Sequence, residues 1–214
     1  MRSSFRWINS AATALAVLTA APAAHGLPRR LPPIDQCSAD RSFARFTDEL
    51  RGIAKRQDSR AFVALFAPEA KKPTGYGGDI DPNDVMPVEN WLSLETVLRM
   101  GCTRSKNAFV MPSVSVQTKL YSPDSLRNKA VVIGGAEFFK FVGEDRVPAG
   151  KLDWEIVTVT NMSGDFFYGV RLPDGRSGWV DDYDLYFLDP RYGHSEIRFE
   201  KRDGRWMITH FWYP

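Results

Sequence analysis

Residues Val170 to Val180 read VRLPDGRSGWV. Within them Pro173-Asp174-Gly175 is a turn signal: Pro presets φ, Asp hydrogen-bonds its own backbone and Gly accepts positive φ. On either side, Asp165–Leu172 (DFFYGVRL) and Ser177–Asp181 (SGWVD) read as short strands joined by that turn. Upstream lie Trp154–Thr160 (WEIVTVT) and the apolar run Ala130–Val142 (AVVIGGAEFFKFV), which is broken at Gly134-Gly135. Downstream come Leu185–Leu188, then Ser195–Lys201, an Asp203-Gly204 turn and Arg205–Tyr213. Short strands at close spacing, punctuated by Gly and Asp, predict a small barrel or a strongly bent sheet. The period of two begins near Ala108, and the alternation over Val114–Thr118 predicts another strand.

The half before Ala108 carries a different period. Phe43, Phe46, Leu50 and Ile53 fall at i, i+3, i+7 and i+10, one face of a helix that Ser38 or Asp40 can cap. Asp58 or Ser59 can cap a second helix carrying Phe62, Leu65 and Phe66 and stopped by Pro68. Val88–Met100 predicts a third, with Trp91, Leu94 and Leu98 on one side. Between them Thr74–Pro87 reads as loop. Its Asp79, Asp81 and Asp84 miss the EF-hand pattern, because the positions that need Gly and Glu hold Asp84 and Asn90.

With the strand and turn pattern laid out, residues from about Ala130 to Leu188 resemble a bacterial SH3-like (SH3b) domain. The resemblance rests on Glu155–Val159 and above all on Val170–Val180, followed by Tyr183–Leu185. The family's Arg-x-x-Pro and "gW" features are represented only by Lys140 to Pro148 and by Phe167-Tyr168. Over about Cys37–Pro214 the chain is similar to uncharacterised exported SH3-like proteins of alphaproteobacteria. These share a helical start, a Trp-Leu helix like Trp91-Leu92 and an ending like Phe199–Phe211. The resemblance implies an α+β fold: an N-terminal helical segment packed with a C-terminal SH3-like small β-barrel and an extra terminal β-hairpin. The divisions expected are a signal peptide 1–26, a Pro-rich linker 27–36, a helical region 37–112, a barrel 113–190 (core about 130–188) and a hairpin 191–214.

Residues 1–26 have the form of an export signal: Arg2 and Arg6, an apolar run Ala11–Ala21, then small residues that place cleavage near 23–26. The run is too short to span a bilayer, so the mature chain is expected in the periplasm or secreted, without a membrane span. Cleavage removes Arg2 and Arg6 and no acid, leaving 26 acidic residues balanced by as many basic ones. That balance offers no electrostatic pull on nucleic acid. In an oxidising compartment Cys37 and Cys102 have only each other, so a disulfide is expected, closing a loop of roughly 65 residues. A nucleophilic Cys102 is the rival. Its surroundings resemble the His-Gly-Cys stretch of L,D-transpeptidases only at Gly101-Cys102, since position 100 is Met and no His lies between His25 and His194.

No other catalytic constellation stands in the sequence, and no cofactor or metal motif. His194 and His210 lack marked partners. Gly75-Tyr76-Gly77-Gly78 lacks the lysine and helix of a phosphate loop, and Asp181-Asp182-Tyr183-Asp184 lacks a His to complete a metal cage. Aromatic residues are the remaining signal. Trp154, Phe166, Tyr168, Trp179 and Tyr183 are the candidate ligand-binding residues, in a region where the alternative is that the rings simply fill a small core. The function expected is a non-enzymatic exported binding protein whose barrel engages a peptide, peptidoglycan or an envelope protein. The alternatives are an envelope enzyme or enzyme-inhibitor subunit with a cleft between helices and barrel, and an oligomer subunit that buries its rings.

Overall fold

The computed structural model describes residues 27–71, 88–162, 166–192 and 195–212. The expected signal peptide, the Thr74–Pro87 loop and His194 therefore lie outside the described residues. The chain forms helices α1 (Arg41–Arg56) and α2 (Ser59–Val63), strand β1 (Phe66–Lys71), α3 (Val88–Arg99), β2 (Thr103–Ser105), β3 (Ala108–Met111) and α4 (Ser113–Gln117). Then follow β4 (Lys129–Val132), β5 (Ala136–Val142), β6 (Asp145–Leu152), β7 (Ile156–Met162), β8 (Phe167–Arg171), β9 (Ser177–Asp181), β10 (Leu185–Phe187), β11 (Glu196–Arg202) and β12 (Arg205–Trp212). The class is α+β. Among the described residues no helix is long and apolar enough to cross a membrane.

Two sheets organise it. One has five strands in the order β1-β12-β11-β3-β2, and the other seven in the order β10-β4-β7-β8-β9-β5-β6. The terminal hairpin β11–β12 is thus central to the first sheet, between β3 and β1. Onto that sheet pack α1 and α3, with Phe43, Phe46, Leu50, Ile53, Trp91 and Leu94 meeting Ile197, Phe199, Ile208 and Phe211 in one core. Asp40 caps α1 by accepting from the N–H groups of Ser42 and Phe43, and Asp58 caps α2 through Ala61.

The seven-stranded sheet gathers Val132, Phe138, Leu152, Val157, Val170, Val180 and Leu185 into a single cluster, one from each of its strands. It therefore curls around its own core. Among the described residues it does not close: β10 and β6 each pair on one side alone, so the expected barrel is an open one. Edge strand β6 was hidden from the periodicity by Pro148 and Gly150, which are tolerated where one side of a strand needs no partner. Gly178 has a role other than turning the chain. A Cβ there would lie 2.5 Å from the Phe138 ring and 2.7 Å from the Phe139 carbonyl, so glycine lets β9 press onto β5.

Three local expectations are corrected. Residues 113–117 form α4 and not a strand: Ser115 and Thr118 satisfy their hydroxyls on the carbonyls of Pro112 and Ser115, so local bonds override the alternation. Phe66 leaves the second helix and starts β1, parallel to β12, because α2 ends at Val63 and Pro68 fits only an edge strand. Trp154 precedes its strand, in a turn at φ 61°.

Residues 27–36, expected as a linker, lie as a strap across both units. Ile156 donates to the Arg29 carbonyl (3.0 Å) and Leu31 to that of Trp154 (2.8 Å). Farther on, Cys102 donates to Ile34 and Gln36 to Cys102, each at 2.8 Å. Leu31 is buried with Met100, Val114, Val131, Ile133 and Tyr186, a third cluster that joins the seven-stranded sheet to α4 and to the turn after α3. The strap ends in the Cys37–Cys102 disulfide (Cα–Cα 5.7 Å), as expected from the cysteine count.

Candidate binding face

Strand β5 presents Glu137, Phe139 and Phe141 to the face opposite its core-facing Phe138. Across β9 and β8 the same face carries Trp179, Asp181 and Phe167. The rings meet edge to face: Phe139–Phe141 at 5.5 Å, Phe139–Phe167 at 5.4 Å and Phe141–Trp179 at 5.6 Å between centroids. Phe139 is fully buried although it lies on the outer face, while Phe141 is 39% exposed and Trp179 and Phe167 are half-buried. From β6, Arg146 lays its guanidinium 3.9 Å from the Phe139 centroid. Its Nη2 donates to Glu137 and to Asp181, each at 2.7 Å. The hydrogen bond from Arg146 to Asp181, with both carboxylates close by, holds the guanidinium more firmly protonated than usual.

Beside this cluster lies a trough of about 390 Å³. Trp179 and Phe141 wall it, Gly169 keeps its floor low opposite Trp179, and Lys140, Thr160, Asn161 and Ser177 supply polar groups. An aromatic wall facing amide, hydroxyl and ammonium groups suits a ligand with flat apolar faces and hydrogen-bonding edges.

The five candidate residues part company. Trp179 is in the trough wall. Phe166, at φ 62° before β8, is 67% exposed, and its carbonyl accepts from Asp182 at 2.9 Å. Tyr168 turns to the core side, its ring 5.1 Å from that of Phe187, and burial, with Asp182 and Tyr192 nearby, raises its hydroxyl pKa. Trp154 packs against the third cluster, at the junction of the seven-stranded sheet with the strap and α4, where an added Cβ on Gly134 would lie 2.5 Å from its indole nitrogen. Tyr183 sits on the 3-10 turn Asp182–Asp184, 37% exposed, with its carbonyl accepting from Thr96 of α3 at 3.4 Å. Burial raises the carboxyl pKa of Asp182 and of Asp184 on that turn. His210 is half-buried on β12 opposite Arg198. Among the described residues no group of three His, Cys, Asp or Glu could hold a metal.

No protein-family model, curated protein or solved structure matches the chain.

Residues the sequence reading passed over are Phe139, Phe141, Arg146 and Glu137. The alternation Glu137-Phe139-Phe141 was a usable signal for one shared face. Arg146 had none, since its strand carries Pro148 and its partners lie on β5 and β9.

Proposed function

We propose that the protein is exported to the periplasm, where its curled seven-stranded sheet acts as an SH3-like, non-enzymatic binding module for a peptide, peptidoglycan or an envelope protein. The observation that carries this reading is the trough walled by Trp179 and Phe141 and rimmed by Lys140, Thr160, Asn161 and Ser177. Its rings are held ready: Phe139 underlies them and Arg146 pins Phe139, so a ligand meets a surface that loses little side-chain freedom on binding. The disulfide and the export-type N-terminus support the compartment.

The test is co-sedimentation of the purified protein with insoluble peptidoglycan sacculi, beside a Phe141→Ala, Trp179→Ala double variant checked for folding by circular dichroism. Binding that disappears in the folded variant supports a wall-binding trough. Absence of wild-type binding removes peptidoglycan from the reading and leaves a protein ligand, to be sought by crosslinking in the periplasm.

A further inference from the structure

A cleft of about 490 Å³ lies where α1 and the end of α2 meet the β11–β12 turn, away from the trough. Trp206 forms one wall, tied down by its indole N–H to Ser42 Oγ (2.9 Å) and stacked on Phe109 with centroids 4.8 Å apart. Phe46 and Leu65 add apolar surface. Two exposed arginines, Arg45 and Arg205, stand on the rim against one carboxylate, Glu49. Among the described residues no carboxylate lies within ion-pair distance of either arginine.

The backbone is open at the same place. Strand β1 joins β12 only from Phe66, opposite Ile208, whose N–H donates to Leu65 at 2.8 Å. Antiparallel pairing to β11 alternates inward and outward groups, with Ile208 opposite Phe199 and Trp206 opposite Lys201. Since Ile208 points its N–H away from β11, Trp206 two residues earlier points its own N–H and C=O the same way. Among the described residues no strand pairs there.

We infer that this cleft is a docking site for an acidic, extended peptide segment of a partner protein, which adds beside β12 at Trp206 and sets its carboxylates against Arg45 and Arg205. Backbone bonds fix such a segment, and the side-chain charges select it. The surplus of cation over anion on the rim favours an acidic segment over a basic one. This site is independent of the trough.

The probe is a fluorescein-labelled octapeptide of alternating Glu and Val, titrated with the purified protein at low and at physiological salt and followed by anisotropy. A Lys–Val peptide serves as its control. Saturable binding of the Glu peptide that weakens with salt, and that falls about tenfold or more in Arg45→Glu, Arg205→Glu, is the expected result. Arg127→Glu, a comparable charge change at an exposed site outside the cleft, leaves it unchanged. Amide exchange is the second readout: the peptide slows Trp206. No binding up to about millimolar protein, equal binding of the Lys peptide, or an unshifted affinity in the folded double variant would overturn the inference. So would unchanged exchange at Trp206, because strand addition must protect that amide.

Discussion

Arg146 covers Phe139: a guanidinium 3.9 Å from the ring centroid leaves a phenylalanine on the outer face of a sheet with no exposed surface. The arginine can do this because Glu137, two residues before the ring on β5, and Asp181, on the neighbouring β9, both accept from it. Phe139 is thereby made into local core, while Phe141 stays exposed and Trp179 and Phe167 half-buried.

Removing that cover should cost stability. Arg146→Ala is expected to lower the unfolding free energy by about 1–2 kcal/mol, combining a lost cation–π contact with two partly solvated ion pairs. Arg146→Lys should recover only part, since an ammonium cannot lie flat on the ring while reaching both carboxylates. Urea denaturation measures both. A variant as stable as wild type would show that Phe139 is held by its neighbouring rings alone.

Gly178→Ala tests the close approach of β9 to β5. The added methyl meets both the Phe138 ring and the Phe139 backbone oxygen inside contact distance, so the strands must part. The expected loss is about 1–3 kcal/mol, with Trp179 fluorescence shifted as its strand moves. Gly175→Ala acts by another route, forcing alanine to φ 90° in an otherwise open turn.

Opening the Cys37–Cys102 disulfide should release the strap. The bond ties residue 37 to the end of α3, so a Cys37→Ser, Cys102→Ser variant is expected to lose about 2–4 kcal/mol. Hydrogen exchange should show the earliest loss of protection at the amides of Leu31, Gln36 and Cys102. Uniform loosening of the whole molecule would instead mean that the strap does not unfasten separately.

Asp189 gives a pH signature. Its carboxylate is buried, accepts from the Arg191 guanidinium at 2.5 Å and takes the N–H groups of Asn128 (2.8 Å) and Arg191 (3.0 Å). The Arg191 guanidinium leads these bonds in holding its pKa well below the usual carboxylate range, against the upward pull of burial. Folding therefore favours the ionised form. The stabilisation is complete above the unfolded value of about 3.9 and is lost as pH falls from there toward the folded value. Asp189→Asn should cost about 1–3 kcal/mol at neutral pH, and its gap from wild type should shrink below pH ~4. A gap independent of pH would assign the loss to packing.

Much of this was legible in local residue order. Helical spacing of Phe43, Phe46, Leu50 and Ile53, the caps Asp40 and Asp58, and the turn after Leu172 act over a few residues, so they survive being read one segment at a time. The pairing of the two cysteines was legible as well, because a chain with two leaves no choice. Local order misled where a short-range bond outcompeted periodicity, as at Ser115, or where an edge strand tolerated Pro148.

Assembly was another matter. That the terminal hairpin would insert between β1 and β3, that the Pro-rich segment would strap both units, and that Arg146 would close over Phe139 all depend on contacts between residues far apart in the chain. Among five aromatic candidates, tertiary packing turned Tyr168 to the core side and Trp154 to the junction, and kept Trp179 in the trough wall. The sequence by itself settled the long helices and most strands and turns, since these follow from neighbours along the chain. Only the tertiary structure decided which rings face a ligand, because a strand shows its two faces alike until a core is packed against one of them.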